Sequence, residues 1–366
     1  MLTDLLKRLM LISVTGLLVT IISQPVKAQI LSDSIVMRHI RKGIDYTYNL
    51  NFKDAHKEAD EIRRMYPGHP VNFLFRAVII YWENYPLTPS SSAGSDFEET
   101  LHQGIELCEK NYKVERDAEI LLTDLSARGM LLLYYSDNGL SRKVIGMAGG
   151  TYHYLKHSFL YTSVSPDFYF FTGLYRYYRE AYPEVHPIYK PVASLFPKGD
   201  KLQGIKDLEI SSVKSVFLKA DSYSFLTWIF TNFDKDPPRA IGYIKRLSEL
   251  YPENYSYTVT YSKDLLMSKR FDDAEKLIRL ISGKTTNRFL LAETDILNGN
   301  LIESKYKNMK SARESYEKGI RDLAAFGVIG NEYSALGYEG LSRICGSEGD
   351  QQGMKKNHRR AMDLSN

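Results

Sequence analysis

The sequence predicts an all-α fold, an α-solenoid of stacked helical hairpins, and three observations predict it. Ala240 and Ala274 stand thirty-four residues apart, each at the head of the same stripe of a small residue and two apolar ones. No segment keeps the apolar–polar alternation of a half-buried strand over a useful length. About 338 residues follow the first 28 without a Gly/Ser or Pro linker long enough to separate a pair of domains. That length exceeds what one compact core normally serves, whereas an array asks each unit to bury only its neighbour's face.

At the N-terminus, Lys7 and Arg8 precede an uncharged apolar run from Leu9 to Ile22, and Val26 and Ala28 supply the small residues of a cleavage site. This layout predicts a signal peptide over residues 1–28, because the run is near fourteen residues and a spanning helix needs about 20. The body, residues 29–366, is then expected as a single exported domain in the periplasm or cell envelope. Membrane contact is expected only if the segment stays uncleaved as an anchor. A lipid anchor would need a cysteine directly after the signal, and the two cysteines are Cys108 and Cys345. Lying near opposite ends of an array, they are expected to be unpaired.

Losing residues 1–28 removes Lys7, Arg8, Lys27 and Asp4, so the formal charge falls from +4 to +2. Charges of both signs are interspersed and no basic tract reaches five residues, which excludes a nucleic-acid partner held by bulk charge. Lys355-Lys356-Asn357-His358-Arg359-Arg360 lacks interleaved aromatics and reads as a solvated cap.

Residues 35–68 carry the first clear unit: Ala55, Ala59 and Ile62 share a face, and Pro67 follows Ala55 by twelve. Pro86 to Ser95 is a loop by composition, and Ser95 with Glu98 predicts a capping box opening the next helix. Helices are expected over 96–112 and 116–136, within an irregular helical middle spanning 96–199. There Phe168, Phe171, Tyr175, Tyr178 and Tyr182 fall on one helical stripe that Leu174, Tyr177 and Ala181 widen. Thr172, Arg176 and Arg179 form its polar strip, and Gly173 allows a close helix contact. Pro183 to Pro197 holds four prolines, cannot be helical throughout, and is expected as an insertion between repeats.

Residues 200–366 carry the clearer repeats. Four and seven residues after Ala240 come Ile244 and Leu247; after Ala274, Ile278 and Ile281; after Ala312, Tyr316 and Gly319. Gly204, Leu208 and Ser211 form a weaker copy. Pro252 follows Ala240 by twelve, as Pro67 follows Ala55. Tyr333 to Gly337 opens a last hairpin that turns at Gly349-Asp350 and returns over Gln351 to Leu364, with Ala361 facing inward. The small residue lets two antiparallel helices approach, and the proline ends the second.

The period, the small residue, the apolar residue four later and the closing proline resemble the tetratricopeptide repeat. The resemblance implies degenerate hairpins in a right-handed solenoid, and a scaffold that binds a protein or peptide without catalysis. A glycan or small ligand held on a tyrosine-rich concave surface is the alternative it implies.

No constellation supplies a reaction. Ser282-Gly283-Lys284-Thr285 lacks the first glycine of a phosphate loop, since Ile278 holds that position, and it ends a helix instead of following a strand. His153 and His157 share a helical face, but no glutamate follows His153 and no third ligand is evident. Ser304 with Lys307 and Ser315 with Lys318 have a serine–lysine spacing without its companion motifs. Neither catalytic residue, metal nor cofactor is expected. Partner binding is expected at Tyr169, Arg176, Tyr177 and Arg179, because tyrosine offers a broad apolar face with a hydroxyl beside a guanidinium.

Overall fold

The computed structural model describes residues 30–365, so the expected signal peptide lies outside the described residues. Among the described residues there are helices and no strands. The helices are α1 (Ser34–Tyr48), α2 (Phe52–Met65), α3 (Val71–Glu83), α4 (Ser92–Asn111), α5 (Ala118–Asp137), α6 (Ser141–Ser158), α7 (Phe168–Val185) and the short α8 (Lys190–Ala193). They continue as α9 (Lys201–Lys214), α10 (Lys219–Trp228), α11 (Pro237–Leu250), α12 (Tyr255–Met267), α13 (Phe271–Lys284), α14 (Arg288–Leu301), α15 (Met309–Leu323), α16 (Asn331–Ser347) and α17 (Gln351–Ser365). Consecutive helices pack on one another, except that α9 packs on α7 across the short α8, which is the all-α solenoid the spacing predicts. None of the described helices is long and apolar enough to cross a membrane.

Local chemistry sets the helix starts. The Asp33 carboxylate accepts from the amides of Ile35 and Val36 and caps α1; Asp117, Asp200, Asn287 and Asn308 do the same for α5, α9, α14 and α15. At α4 the cap is Ser91, whose hydroxyl accepts from the Gly94 amide at 3.0 Å. This corrects the expected Ser95 cap: Ser92 to Ser95 already turn as helix, so Ser95 has no free first-turn amide to serve.

The stripe residues do what their spacing implies. Ala55, Ala240, Ala274 and Ala312 are fully buried, with Ile62, Leu247, Ile281 and Tyr316 beside them. All sit on the second helix of a hairpin. Six of the turns within hairpins share a feature that composition hides, one residue with left-handed φ: Leu50, Gly139, Lys235, Lys269, Lys307 and Gly349. Three of these are lysines and one a leucine, so glycine spacing does not reveal the period.

Pro183 lies in the last turn of α7, and residues 187–199 then depart from the hairpin pattern through a 3-10 turn and α8, the expected insertion. The α7 and α9 backbones nearly touch: a Cβ on Gly204 would lie 2.7 Å from the Tyr177 amide nitrogen and 2.8 Å from the Gly173 carbonyl. The buried face of α7 holds Phe168, Phe171, Gly173, Tyr177 and Ala181 as expected, together with Phe170 and Thr172, whereas Tyr175 and Tyr178 are half-buried and Tyr182 is 39% exposed. Its polar strip faces α9, where Thr172 Oγ1 donates to Asp207 Oδ2 at 2.8 Å. Cys108 and Cys345 are buried and unpaired, as expected.

Two contacts turn the array back on itself. Asn287 Nδ2 donates to the Tyr85 carbonyl at 2.7 Å, and the Tyr85 ring meets Phe289 with 6.0 Å between centroids. Gly139, after α5, lies against Val328, before α16. The first hairpin also shares a core with the fifth and sixth, Ile40, Ile44 and Tyr48 packing with Ile244, Leu247 and Tyr257. Contacts this distant in sequence enclose a space between the first helices.

Candidate functional site

That space is a chamber of about 530 Å³, lined mainly by the first helices of the hairpins: α1, α3, α5, α10, α12, α14 and α16. A volume of this size is in the range that holds a compact organic ligand.

One wall is aromatic and centred on Trp82. Tyr81, Tyr48, Tyr85 and Tyr257 surround its ring at centroid distances of 5.3, 5.5, 5.5 and 5.6 Å, with Tyr85 stacked on it. Tyr333 and Trp228 add further rings. Both tryptophans of the chain therefore line the chamber. Of the tyrosine hydroxyls, that of Tyr48 donates to Asp221 Oδ2 at 3.1 Å. Those of Tyr81, Tyr85, Tyr257 and Tyr333 have no hydrogen-bond partner among the described residues and remain available.

Four carboxyls, Asp137, Asp221, Glu293 and Glu332, line the same space, with Lys263 as the one charged amine among the described lining residues. Lys263 Nζ donates to Glu332 Oε1 at 2.6 Å and stands 5.7 Å from the Tyr333 ring centroid, so one carboxylate is neutralised and one ring already faces a cation. Glu293, 6% exposed, makes no side-chain hydrogen bond among the described residues. Burial, then the charge of Glu332, pushes its carboxyl well above the ordinary range, against the pull of Lys263. Burial also raises Asp137 to about 7, with Glu332 adding to it, and raises Asp221 to about 6 despite the Tyr48 hydrogen bond. Desolvation disfavours each charged form because no cation is at hand to offset it. Within α12, Asp264 is likewise raised to about 6 by burial; Thr231 Oγ1 donates to it at 2.9 Å.

The residues expected to bind a partner stand elsewhere, since no residue between 138 and 216 lines the chamber. Tyr177 is fully buried, its hydroxyl donating to Asp234 Oδ1 at 2.6 Å. Arg176 pairs with Asp207 at 2.5 Å and lies over the Phe159 ring. Arg179 donates to the Phe196 carbonyl at 3.1 Å and so ties the insertion to α7. Tyr169 is half-buried on the same helix. The structure brings these four together on α7 and apart from the chamber. His153 and His157 touch ring to ring, 5.9 Å between centroids, and Ser282 to Lys284 form the last turn of α13.

Sequence reasoning missed Trp82, Asp221, Glu293 and Lys263. The available signal was a charged residue inside an otherwise apolar helical face, as Glu293 stands among Phe289, Leu290, Ile296 and Leu297.

No family model matches the chain, and no curated protein matches it. Among solved structures it is similar to yeast Tom70, known from a crystal structure, at 14% identity over 91% of this chain and 92% of that one, with a TM-score of 0.23. At that score the helices themselves carry the assignment of the fold.

Proposed function

We propose that the protein is a non-catalytic binding protein whose repeat scaffold curls into a receptor for one compact ligand, held in the chamber between its first helices. The observation that carries this reading is convergence: the aromatic wall, the unused tyrosine hydroxyls and the unpaired Glu293 all face one 530 Å³ space. Here a protein or peptide partner binds by inserting a side chain or chain end, and a free small molecule binds by filling the space whole. Export to the cell envelope belongs to the same proposal, on the strength of Lys7, Arg8, the apolar run and Ala28. Mass spectrometry of the protein from its native envelope fraction should then find a chain beginning at Gln29; an intact Met1 start overturns cleavage, and recovery from the cytoplasm overturns export.

Trp82 and Trp228 make the binding reading directly testable. Titration with small ammonium ions, neutral saccharides and short peptides should produce a saturable change in tryptophan emission with at least one class, weakened about tenfold or more by Trp82→Ala. If no class changes the emission or the melting temperature, the chamber is not a binding site. Of the α7 residues, Tyr169, Arg176 and Arg179 stand as a separate partner-contact proposal, whereas Tyr177 is buried in the core and offers no face to a partner; Arg176→Ala with Arg179→Ala should leave chamber titrations unchanged.

A further inference from the structure

Resting on the chamber reading above, we infer that the ligand is an organic cation, an ammonium group carried on an apolar or aromatic body. The inference starts from Glu293. It is more than nine-tenths buried, lines the chamber, and has no hydrogen-bond partner among the described residues. A buried polar group is retained without a partner where something else supplies one. The one lining ammonium among the described residues, Lys263, donates to Glu332 and is not free to pair with Glu293. Three carboxyls, Asp137, Asp221 and Glu293, are therefore left facing the space without a cation.

The walls fit the rest of such a molecule. Trp82 and its surrounding tyrosines give broad faces that attract a positive charge and cover apolar surface at once, and Tyr333 already faces the Lys263 ammonium. A carboxylate or phosphate ligand would meet Glu293, Asp137 and Asp221 with one compensated lysine. A neutral saccharide would leave the three carboxyls protonated and draw no ion pair from them. The arrangement thus selects by sign as well as by shape.

Proton release should accompany binding. The groups facing Glu293 are Glu332, Lys263, Tyr85 and Tyr333. Those facing Asp137 are Glu332, Tyr81 and Tyr85; those facing Asp221 are Tyr48, Tyr81, Tyr251, Tyr257 and the more distant Asp167. With their carboxyls raised by burial, a permanent cation must displace protons to form its ion pair. Affinity therefore grows as pH rises from 5.5 to 8.

The test uses the full exported chain with benzyltrimethylammonium and its uncharged carbon isostere neopentylbenzene, followed by tryptophan emission and calorimetry. The cation should bind about tenfold or more tightly than the isostere, more tightly at pH 8 than at pH 5.5, and release protons. Glu293→Gln, which keeps the shape and removes the charge, should weaken the cation about tenfold and leave the isostere unchanged. Asp137→Asn provides a second variant on another helix with the same expected direction. Equal or tighter binding of the isostere, or unchanged cation affinity in both variants, overturns the cation assignment while the chamber reading stands. Silence of both probes together with saccharides and peptides overturns the chamber reading itself.

Discussion

A carboxyl buried without a cation keeps its proton, and Glu293, Asp137 and Asp221 show what that does to stability. Their folded pKa values lie above those of the unfolded chain, so the folded state binds more protons from about pH 4 up to about 6 for Asp221 and about 7 for Asp137. Their contribution to stability is present at low pH and is lost as pH rises through those values. Glu275, held near 2 by Lys305 and Tyr306, stays charged throughout that upper range and adds no slope there. The ligand-free protein should therefore melt higher at pH 5.5 than at pH 8 in thermal denaturation. Glu293→Gln should flatten the difference and raise the melting temperature at pH 8 by about 2–4 °C, an effect on the order of 1 kcal/mol. A melting temperature that climbs from pH 5.5 to 8 would refute this account of the three carboxyls.

Helix by helix, what the sequence revealed was the second helix of each hairpin. Ala240, Ile244 and Leu247 repeat because that helix packs on one side and is solvated on the other, which leaves a clean period. The first helices are covered on one face by neighbours and on the other by the chamber. Their polar residues therefore fall among apolar ones, as Asp221 does in α10 and Glu293 in α14, and the period dissolves. At α7 the stripe and the close contact at Gly173 were legible, but not that the contacting helix would be α9, since that depends on Gly204 in a helix that begins nineteen residues beyond the last stripe tyrosine. Hairpin turns offer a test at this scale. Lys269 and Leu50 hold left-handed φ of 58°, which strains an L side chain by roughly 1 kcal/mol and glycine hardly at all. Lys269→Gly and Leu50→Gly should each stabilise by ~0.5 kcal/mol once the greater unfolded-state freedom of glycine is subtracted. Gly204→Ala should instead cost about 1–3 kcal/mol, because its Cβ would press on backbone atoms that cannot yield. Gly242→Ala, with open space around it, should gain ~1 kcal/mol. Urea midpoints at constant slope would check all four, and an undiminished midpoint for Gly204→Ala would show that α7 and α9 do not meet so closely.

For the whole molecule, closure separates this chain from an open array. In a linear solenoid each unit feels only its neighbours, and distant units can melt apart. Here Asn287 bonds the Tyr85 carbonyl, Tyr85 meets Phe289, and the first hairpin shares a core with the fifth and sixth, coupling segments about two hundred residues apart. Repeat spacing marks Ile244 and Leu247 as buried but not which distant hairpin covers them, and the Asn287 and Tyr85 contacts come from a loop and a helix start outside the stripe. Closure predicts one cooperative transition: in urea, tryptophan emission, which reports on the chamber through Trp82 and Trp228, should coincide with helical circular dichroism. Asn287→Ala with Phe289→Ala removes the hydrogen bond and the ring contact, costing roughly 3–5 kcal/mol from the buried phenylalanine alone. In that variant the emission should change at lower urea than the helical signal, because the chamber opens while local hairpins persist. Coincident curves in the double variant would mean that nearest-neighbour packing alone couples the array, and that the chamber does not depend on its closing contacts.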